Sequence, residues 1–286
     1  MKIGFIGLGK MGGAIARNLI RKQYDVTVYD ISTSAMHNTL KVGGKGANSP
    51  TELALEVDLL FTSLPLPKHL LDLLINDSSL LSIMKKGTTV VDLSSNDPNT
   101  ALIVQREAEK YNIDFLACPL GKGPKQAEEG TEPIFAGGKK EVYLKFEELL
   151  NQIGSPVYYL GGVEQSTAFK LISNMVGMSN LLVMCEGLKL GIKAGIDPHL
   201  LVDLLGKTGA DSYQLQLRAP WILNNDFNPR FTSALALKDL KLGVGMAENM
   251  KQKTYFSSMA QKLFEEAVHK GWGDEDCSAV YKIYGE

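Results

Sequence analysis

The 286-residue chain has a formal net charge of −2 and a pI near 6.1, which leaves no surplus of positive charge for nucleic acid or an acidic membrane surface. With 44% hydrophobic and 22% charged residues the composition is that of a globular protein, and the length points to two domains rather than one. Three widely spaced cysteines, Cys118, Cys185 and Cys277, argue against a disulfide framework and fit a reducing, cytoplasmic setting, and the four histidines form no metal-ligand cluster with them.

The first residues, Met1 to Gly7, are too short an apolar run for a signal peptide, and no apolar run approaches the ~20 residues of a membrane span. Lys2 to Ile6 predicts a strand, followed at once by Gly7-Leu8-Gly9-Lys10-Met11-Gly12 and an apolar helical face from Ala14 to Ile20. Val26 to Tyr29 predicts a second strand that ends in Asp30. In a strand–turn–helix of this kind the first glycine permits the turn, the second lets backbone approach a pyrophosphate, and the third packs helix on strand. The helix N-terminus offers its free N–H groups to phosphate. An acid at the end of the second strand accepts hydrogen bonds from ribose hydroxyls and repels a 2′-phosphate, so the expected cofactor is NAD rather than its phosphorylated form. A chance glycine turn is the bland alternative; a P-loop is excluded because the Gly-Lys-Ser/Thr ending is missing.

Strands and helices then alternate: strands over 58–63, 88–93 and 114–118, helices over 69–75 and 99–111. The pattern predicts a mostly parallel, doubly wound sheet, with ligands beyond the carboxyl ends of its strands. Leu64-Pro65, Ser94-Ser95 and the loop after Cys118 all fall at such ends. That loop, Pro119 to Thr131, is rich in glycine and leads into a short helix. It is expected to present backbone N–H groups, with Lys122 as a cation, to an anion. The alternative is a solvated loop whose lysine faces water.

Val163 to Ala194 contains no proline, so a single helix of roughly 45 Å is expected there. It is apolar on nearly every side and should therefore be buried on nearly every side. Lys170 and Asn174, four residues apart, share one face of it. By itself Lys170 reads as a residue whose stem snorkels to water. From Asp197 onward the patterning is helical: a helix from the Asp197-Pro198 cap through Leu205, then 214–223, 233–249 and 256–270. The expected organisation is a dinucleotide-binding domain over 1–161 and an α-helical domain over 162–286. So apolar a leading helix also implies a homodimer or homotetramer.

Taken together these motifs resemble the β-hydroxyacid dehydrogenase family of 3-hydroxyisobutyrate dehydrogenase and tartronate semialdehyde reductase, over essentially the whole chain. Gly-Leu-Gly-Lys-Met-Gly, Leu64-Pro65 and Asp92-Leu93-Ser94-Ser95 match its cofactor loops, Lys238-Asp239-Leu240 its Lys-Asp segment, and Gly271 to Asp276 its C-terminal signature. The resemblance implies a Rossmann-type domain followed by an all-α domain, with cofactor contacts from Gly7, Leu8, Gly9, Lys10, Met11, Gly12, Asp30, Leu64, Pro65, Ser95 and Lys238. It implies Lys170 as the catalytic residue and substrate contacts from Ser95, Gly121, Lys122, Gly123 and Asn174.

Departures from the family pattern bear on substrate. Gly121 stands where the family has a serine, and Lys122 where it has a glycine, a combination closest to the sulfolactaldehyde reductase branch. Glu164 and Ser166 replace glycines, and Ser173 replaces an asparagine. The expected reaction is hydride transfer between NAD and a small anionic 3-hydroxy acid or its semialdehyde, with Lys170 donating or accepting the proton. Sulfolactaldehyde is favoured slightly; 3-hydroxyisobutyrate and tartronate or succinate semialdehyde remain open, as does a non-catalytic NAD-binding role.

Overall fold

The computed structural model describes residues 1–285. The chain divides into two compact units, Met1–Lys170 and Leu171–Glu286.

The first unit is built on an eight-stranded sheet. Its elements in chain order are β1 (Ile3–Ile6), α1 (Lys10–Arg21), β2 (Val26–Tyr29), α2 (Thr33–Leu40), β3 (Lys45–Gly46), α3 (Pro50–Glu56), β4 (Leu59–Thr62), α4 (Pro67–Leu74), α5 (Leu80–Ile83), β5 (Thr89–Asp92), α6 (Pro98–Lys110), β6 (Asp114–Ala117), α7 (Pro124–Glu129), β7 (Ile134–Gly138), α8 (Lys140–Ile153) and β8 (Val157–Tyr159). The strand order is β3-β2-β1-β4-β5-β6-β7-β8, and every pairing is parallel except β6 with β7. Helices return the chain over both faces, so β1, β4 and β5 are buried along their whole length, as their unbroken apolar character requires. Apolar side chains of α1 and α8 close one face, around Ile15, Leu19, Phe146 and Leu150; those of α3, α4 and α6 close the other, around Leu53, Leu70 and Val104. The order reverses between β1 and β4, which puts the ligand crevice of such a sheet beyond the ends of those two strands.

No element is assigned from sequence between Thr131 and Gly162; the structure has β7, α8 and β8 there, and the sheet turns antiparallel at β7. Short strands with Gly137 and Gly138 inside carry too little alternation to be read from sequence.

The long helix α9 (Val163–Lys193) is continuous. Its first two turns group with the first unit, which ends at Lys170. The physical reason is local. Ser166 Oγ lies 2.9 Å from the Ala117 carbonyl oxygen and 2.7 Å from that of Phe135, and the Phe169 ring packs on Phe135 at 4.5 Å. A Cβ added to Gly137 would stand 2.3 Å from the Gly162 carbonyl oxygen and 2.5 Å from Ser166 Cβ, so glycine is what lets the helix lie this close to β7.

In the second unit the rest of α9 packs with α10 (Pro198–Leu205), α11 (Tyr213–Leu223), α12 (Ser233–Asn249), α13 (Tyr255–Ala267) and a C-terminal 3₁₀ segment, Cys277–Tyr284. Asp197, Ser212 and Thr232 cap their helices through the N–H groups of Leu200, Leu215 and Leu235. Beyond α13 the helical backbone continues as a π-type turn through Lys270 and breaks at Gly271, whose φ of 88° suits glycine, so the helix ends where its pattern predicts.

Within the single chain α9 is not buried on nearly every side. Leu181, Cys185 and Leu188 are in the core, but Ile172, Val176, Val183 and Leu190 are 50%, 55%, 68% and 71% exposed. Three of these are seven residues apart, which aligns them in one stripe. The expectation that nothing reaches the length of a membrane span also needs correction, since α9 is long and apolar enough by length and composition. Its Ser166 turn is bonded to the sheet, and its opposite face lies in the core of the helical unit.

Candidate active site

At the end of β1 the chain enters the turn that leads to α1. Gly7 has φ +93°, and a Cβ there would stand 2.2 Å from the Ser63 carbonyl oxygen, so the strand-crossing point between β1 and β4 admits only glycine. A Cβ at Gly12 would meet the Gly7 carbonyl oxygen at 2.0 Å, which is the close helix–strand packing expected of the third glycine. A Cβ at Gly9 would meet nothing within 4 Å. Gly9 is the N-cap of α1 and supplies no side-chain cap, so the first-turn N–H groups and the helix dipole face an open cradle of bare backbone. These residues fit a pyrophosphate.

Asp30, at the end of β2, closes this loop. Its Oδ2 accepts from Leu8 N at 2.6 Å and its Oδ1 from Ser32 N at 2.7 Å. Each oxygen keeps a further lone pair, so the carboxylate both holds the glycine turn and remains an acceptor for a ribose hydroxyl. Lys10 and Pro65 lie exposed, and Met11 and Leu64 half-buried, around the same strand ends.

The loops after β4 and β5 are tied together by Asp92. It is 2% exposed and accepts from Thr62 Oγ1 at 2.8 Å, Ser94 Oγ at 2.6 Å and Asn96 Nδ2 at 2.7 Å. Ser94 Oγ in turn accepts from Leu64 N at 2.9 Å. Burial pushes the Asp92 carboxyl up, and the bonds from Ser94, Thr62 and Asn96 oppose that shift. The chain Asp92–Ser94–Leu64 thus fixes Leu64-Pro65 relative to the half-buried Ser95. From sequence Leu64-Pro65 and Ser94-Ser95 are strand ends and motif members; the network that ties them joins residues 30 positions apart.

The glycine loop after β6 departs from expectation. Two of its backbone N–H groups are not open to an anion: Gly121 N donates to the Pro133 carbonyl at 2.9 Å, and Lys122 N donates to Glu132 Oε1. These two donors are held by an internal carbonyl and an internal carboxylate. Gly121 also has a steric cause. A Cβ there would sit 3.0 Å from the Phe135 ring and 3.2 Å from Pro133 Cβ, so a serine hydroxyl would have to displace the ring that receives Phe169. Lys122 itself is exposed and Gly123 half-buried.

Glu132, to which sequence reading gave no role, lies against this loop. It is fully buried, its Oε2 has no hydrogen-bond partner among the described residues, and Lys170 and Lys122 act on it electrostatically. Burial pushes its carboxyl up to about 7, against the Lys122 N–H bond and the charge of Lys170. The only signal was an acid just before a strand, indistinguishable from an ordinary loop residue. Lys170 is half-buried at the end of the two α9 turns that Ser166 and Phe169 fasten to β6 and β7. Ser166, a departure from the family pattern, is thus the residue that bonds the helix to the sheet.

Further along α9, in the helical unit, Asn174 Nδ2 donates to Asp239 Oδ2 at 2.5 Å. Lys238 Nζ lies 2.9 Å from Asp239 Oδ1, and Asp239 is 2% exposed. Asp239 therefore orients the amide of Asn174 and the ammonium of Lys238 together. The acid at the end of the C-terminal signature has a structural task. Asp276, fully buried, pairs with Arg218 Nε at 3.4 Å and accepts from Phe231 N at 3.1 Å and Ser278 Oγ at 2.8 Å.

A Rossmann-type sheet with a phosphate-ready glycine turn, followed by a helical unit, defines an NAD(P)-binding oxidoreductase. Residues 2–161 match the NAD-binding domain of 6-phosphogluconate dehydrogenase, and residues 165–284 match the domain described as NAD-binding of NADP-dependent 3-hydroxyisobutyrate dehydrogenase. The chain is 31% identical over 285 residues to 2-(hydroxymethyl)glutarate dehydrogenase of Eubacterium barkeri, covering 99% of this chain and 95% of that one. It is 32% identical to a probable mitochondrial 3-hydroxyisobutyrate dehydrogenase of Dictyostelium discoideum, covering 98% and 89%. Among solved structures, the 3-hydroxyisobutyrate dehydrogenase of Mycobacterium tuberculosis with L-serine superposes with a TM-score of 0.91 at 24% identity, covering 100% and 99%. The chain belongs to the β-hydroxyacid dehydrogenase family, whose members include 3-hydroxyisobutyrate dehydrogenase, and is an oxidoreductase acting on CH–OH groups.

Proposed function

We propose that the chain interconverts a small anionic 3-hydroxy acid and its semialdehyde, with Lys170 as the proton-transferring residue. The observation that carries this reading is the anchoring of Lys170. The turns before it are fastened to β6 and β7 by Ser166 and Phe169, which holds one ammonium within electrostatic reach of Glu132, the residue that accepts from Lys122 N. Bound NAD(H) would supply or accept the hydride. In the reduction direction Lys170 stabilises the negative charge that grows on the carbonyl oxygen and donates the proton. Asn174, oriented by Asp239, holds a substrate oxygen, and Gly7, Gly9, Gly12, Asp30, Leu64, Pro65, Ser95 and Lys238 serve the cofactor.

NAD(H) is preferred over NADP(H), because Asp30 lies where a 2′-phosphate would be repelled. For the substrate, Lys122 offers the loop's cation, and Gly121 removes the hydroxyl that relatives present. These two features favour sulfolactaldehyde, with 3-hydroxyisobutyrate and other semialdehyde acids as the second reading. With the N–H groups of Gly121 and Lys122 already used, the sulfonate preference rests on the Lys122 side chain. The three buried free cysteines fit a reducing cytoplasm, and the exposed stripe of α9 fits an interface with a second copy of the chain.

The test is a panel of sulfonate and carboxylate semialdehydes followed by NADH absorbance, with Lys170→Ala beside the wild type. The variant should lose at least ~10²-fold in kcat while NADH titration by fluorescence changes little. Wild-type turnover in the variant, or no turnover of any panel member by the native chain, would overturn the reading.

A further inference from the structure

Glu132 has a chemistry that nothing above uses. A carboxylate with one oxygen buried and without a hydrogen-bond partner is costly, and such a group calls for an explanation. The two charges that act on it are Lys170 from α9 and Lys122 from the loop. On neighbouring α7, Glu128 is already matched by Arg17 and Arg21, each at 2.6 Å. The turn after α8 brings only backbone, with a Cβ at Gly154 falling 2.2 Å from the Glu132 carbonyl oxygen. Oε2 has no access to solvent, so Glu132 acts through its neighbours rather than on the substrate.

We infer that Glu132 is a positioning residue of the Lys170 site: its carboxylate holds the backbone of the 121–123 loop from beneath, and its charge opposes the acid group of a substrate bound at that loop. The inference rests on the reading that the loop and Lys170 receive an anionic substrate. The attraction between Glu132 and Lys170 is mutual, so the same charge that steadies the ammonium cancels part of the field drawing an anion in. Because burial places the Glu132 carboxyl near 7, the charge is present above neutrality and absent below it. A neutral Glu132 leaves Lys122 and Lys170 unopposed.

The experiment measures KM at pH 6 and pH 8 for an anionic semialdehyde and for an uncharged aldehyde of similar size, in the wild type, Glu132→Gln and Lys122→Ala. Carboxylate and sulfonate substrates stay ionised across this range, so their own titration does not enter. In the wild type KM for the anion should rise about tenfold from pH 6 to pH 8, the factor expected for one charge roughly 10 Å from another at an effective dielectric near 20, while KM for the neutral aldehyde stays flat. Glu132→Gln keeps an acceptor for Lys122 N and should give a flat, low KM for the anion, with kcat moving less than KM. An anion KM that does not respond to pH in the wild type, or a pH response that survives in Glu132→Gln, would overturn the inference. The wild-type comparison decides the matter even if the variant folds poorly. Should Lys122→Ala leave the anion KM unchanged, the loop does not bind the acid group, and the substrate reading on which the inference rests goes with it.

Discussion

Gly137→Ala tests whether the packing of α9 on the sheet places Lys170, the proposed proton-transferring residue. The added Cβ would stand 2.3 Å from the Gly162 carbonyl oxygen and 2.5 Å from Ser166 Cβ, whereas ordinary contact begins near 3.4 Å. The start of α9 must therefore back away from β7 by about 1 Å, because neither neighbour is the free end of a flexible side chain. The displacement breaks the Ser166 bonds to Ala117 and Phe135 and loosens the Phe135–Phe169 contact, both upstream of Lys170. Overpacking of this kind costs typically 1–3 kcal/mol, and a misplacement of about 1 Å at a reacting group can cost on the order of 10²-fold in rate. The expected result is a folded enzyme with a lowered Tm, unchanged NADH affinity and kcat reduced by roughly two orders of magnitude. Gly245→Ala is the control. Its Cβ would meet nothing within 4 Å in the middle of α12, so it should raise stability by up to ~1 kcal/mol. Wild-type kcat in Gly137→Ala would refute the argument that this contact positions Lys170.

Asp30→Ala should narrow the preference for NAD over NADP and weaken NAD binding by roughly 1.5–3 kcal/mol for a lost charged hydrogen bond, read as kcat/KM with each cofactor; comparable wild-type values for both would defeat the assignment. Asp276→Ala leaves the Arg218 guanidinium, 7% exposed, without its counter-charge and should cost about 3–5 kcal/mol, measured by denaturant unfolding, while a small loss would show that Arg218 finds another partner. Val183→Glu, placed in the exposed stripe of α9, should shift the solution mass toward the monomer by light scattering; an unchanged mass would show that the stripe is not the interface.

The residues legible in the sequence are those whose chemistry is local. Gly7, Gly9, Gly12 and Asp30 announce themselves by spacing, since the turn, the helix start and the strand end that hold them lie within one βαβ unit. The alternating pattern likewise specifies the parallel sheet, and proline-free length specifies α9. The Asp197-Pro198 cap and the helix from Ser233 to Asn249 read directly, because caps and helical periodicity are properties of neighbouring residues. What the tertiary structure alone decided depends on contacts between distant residues. The 121–123 loop reads as an anion cradle until Glu132, ten residues on, is seen to occupy the Lys122 N–H. Gly121 reads as a lost serine until the Phe135 ring is seen to crowd the position, so that a side chain there would require the ring to shift. The apolar surface of α9 reads as buried on nearly every side, because hydropathy reports the tendency to leave water and not which neighbour, core or second copy, removes it. Buried charge follows the same rule. No pattern in the sequence distinguishes Glu132 from the solvated glutamates around it, because burial is a property of the packed chain.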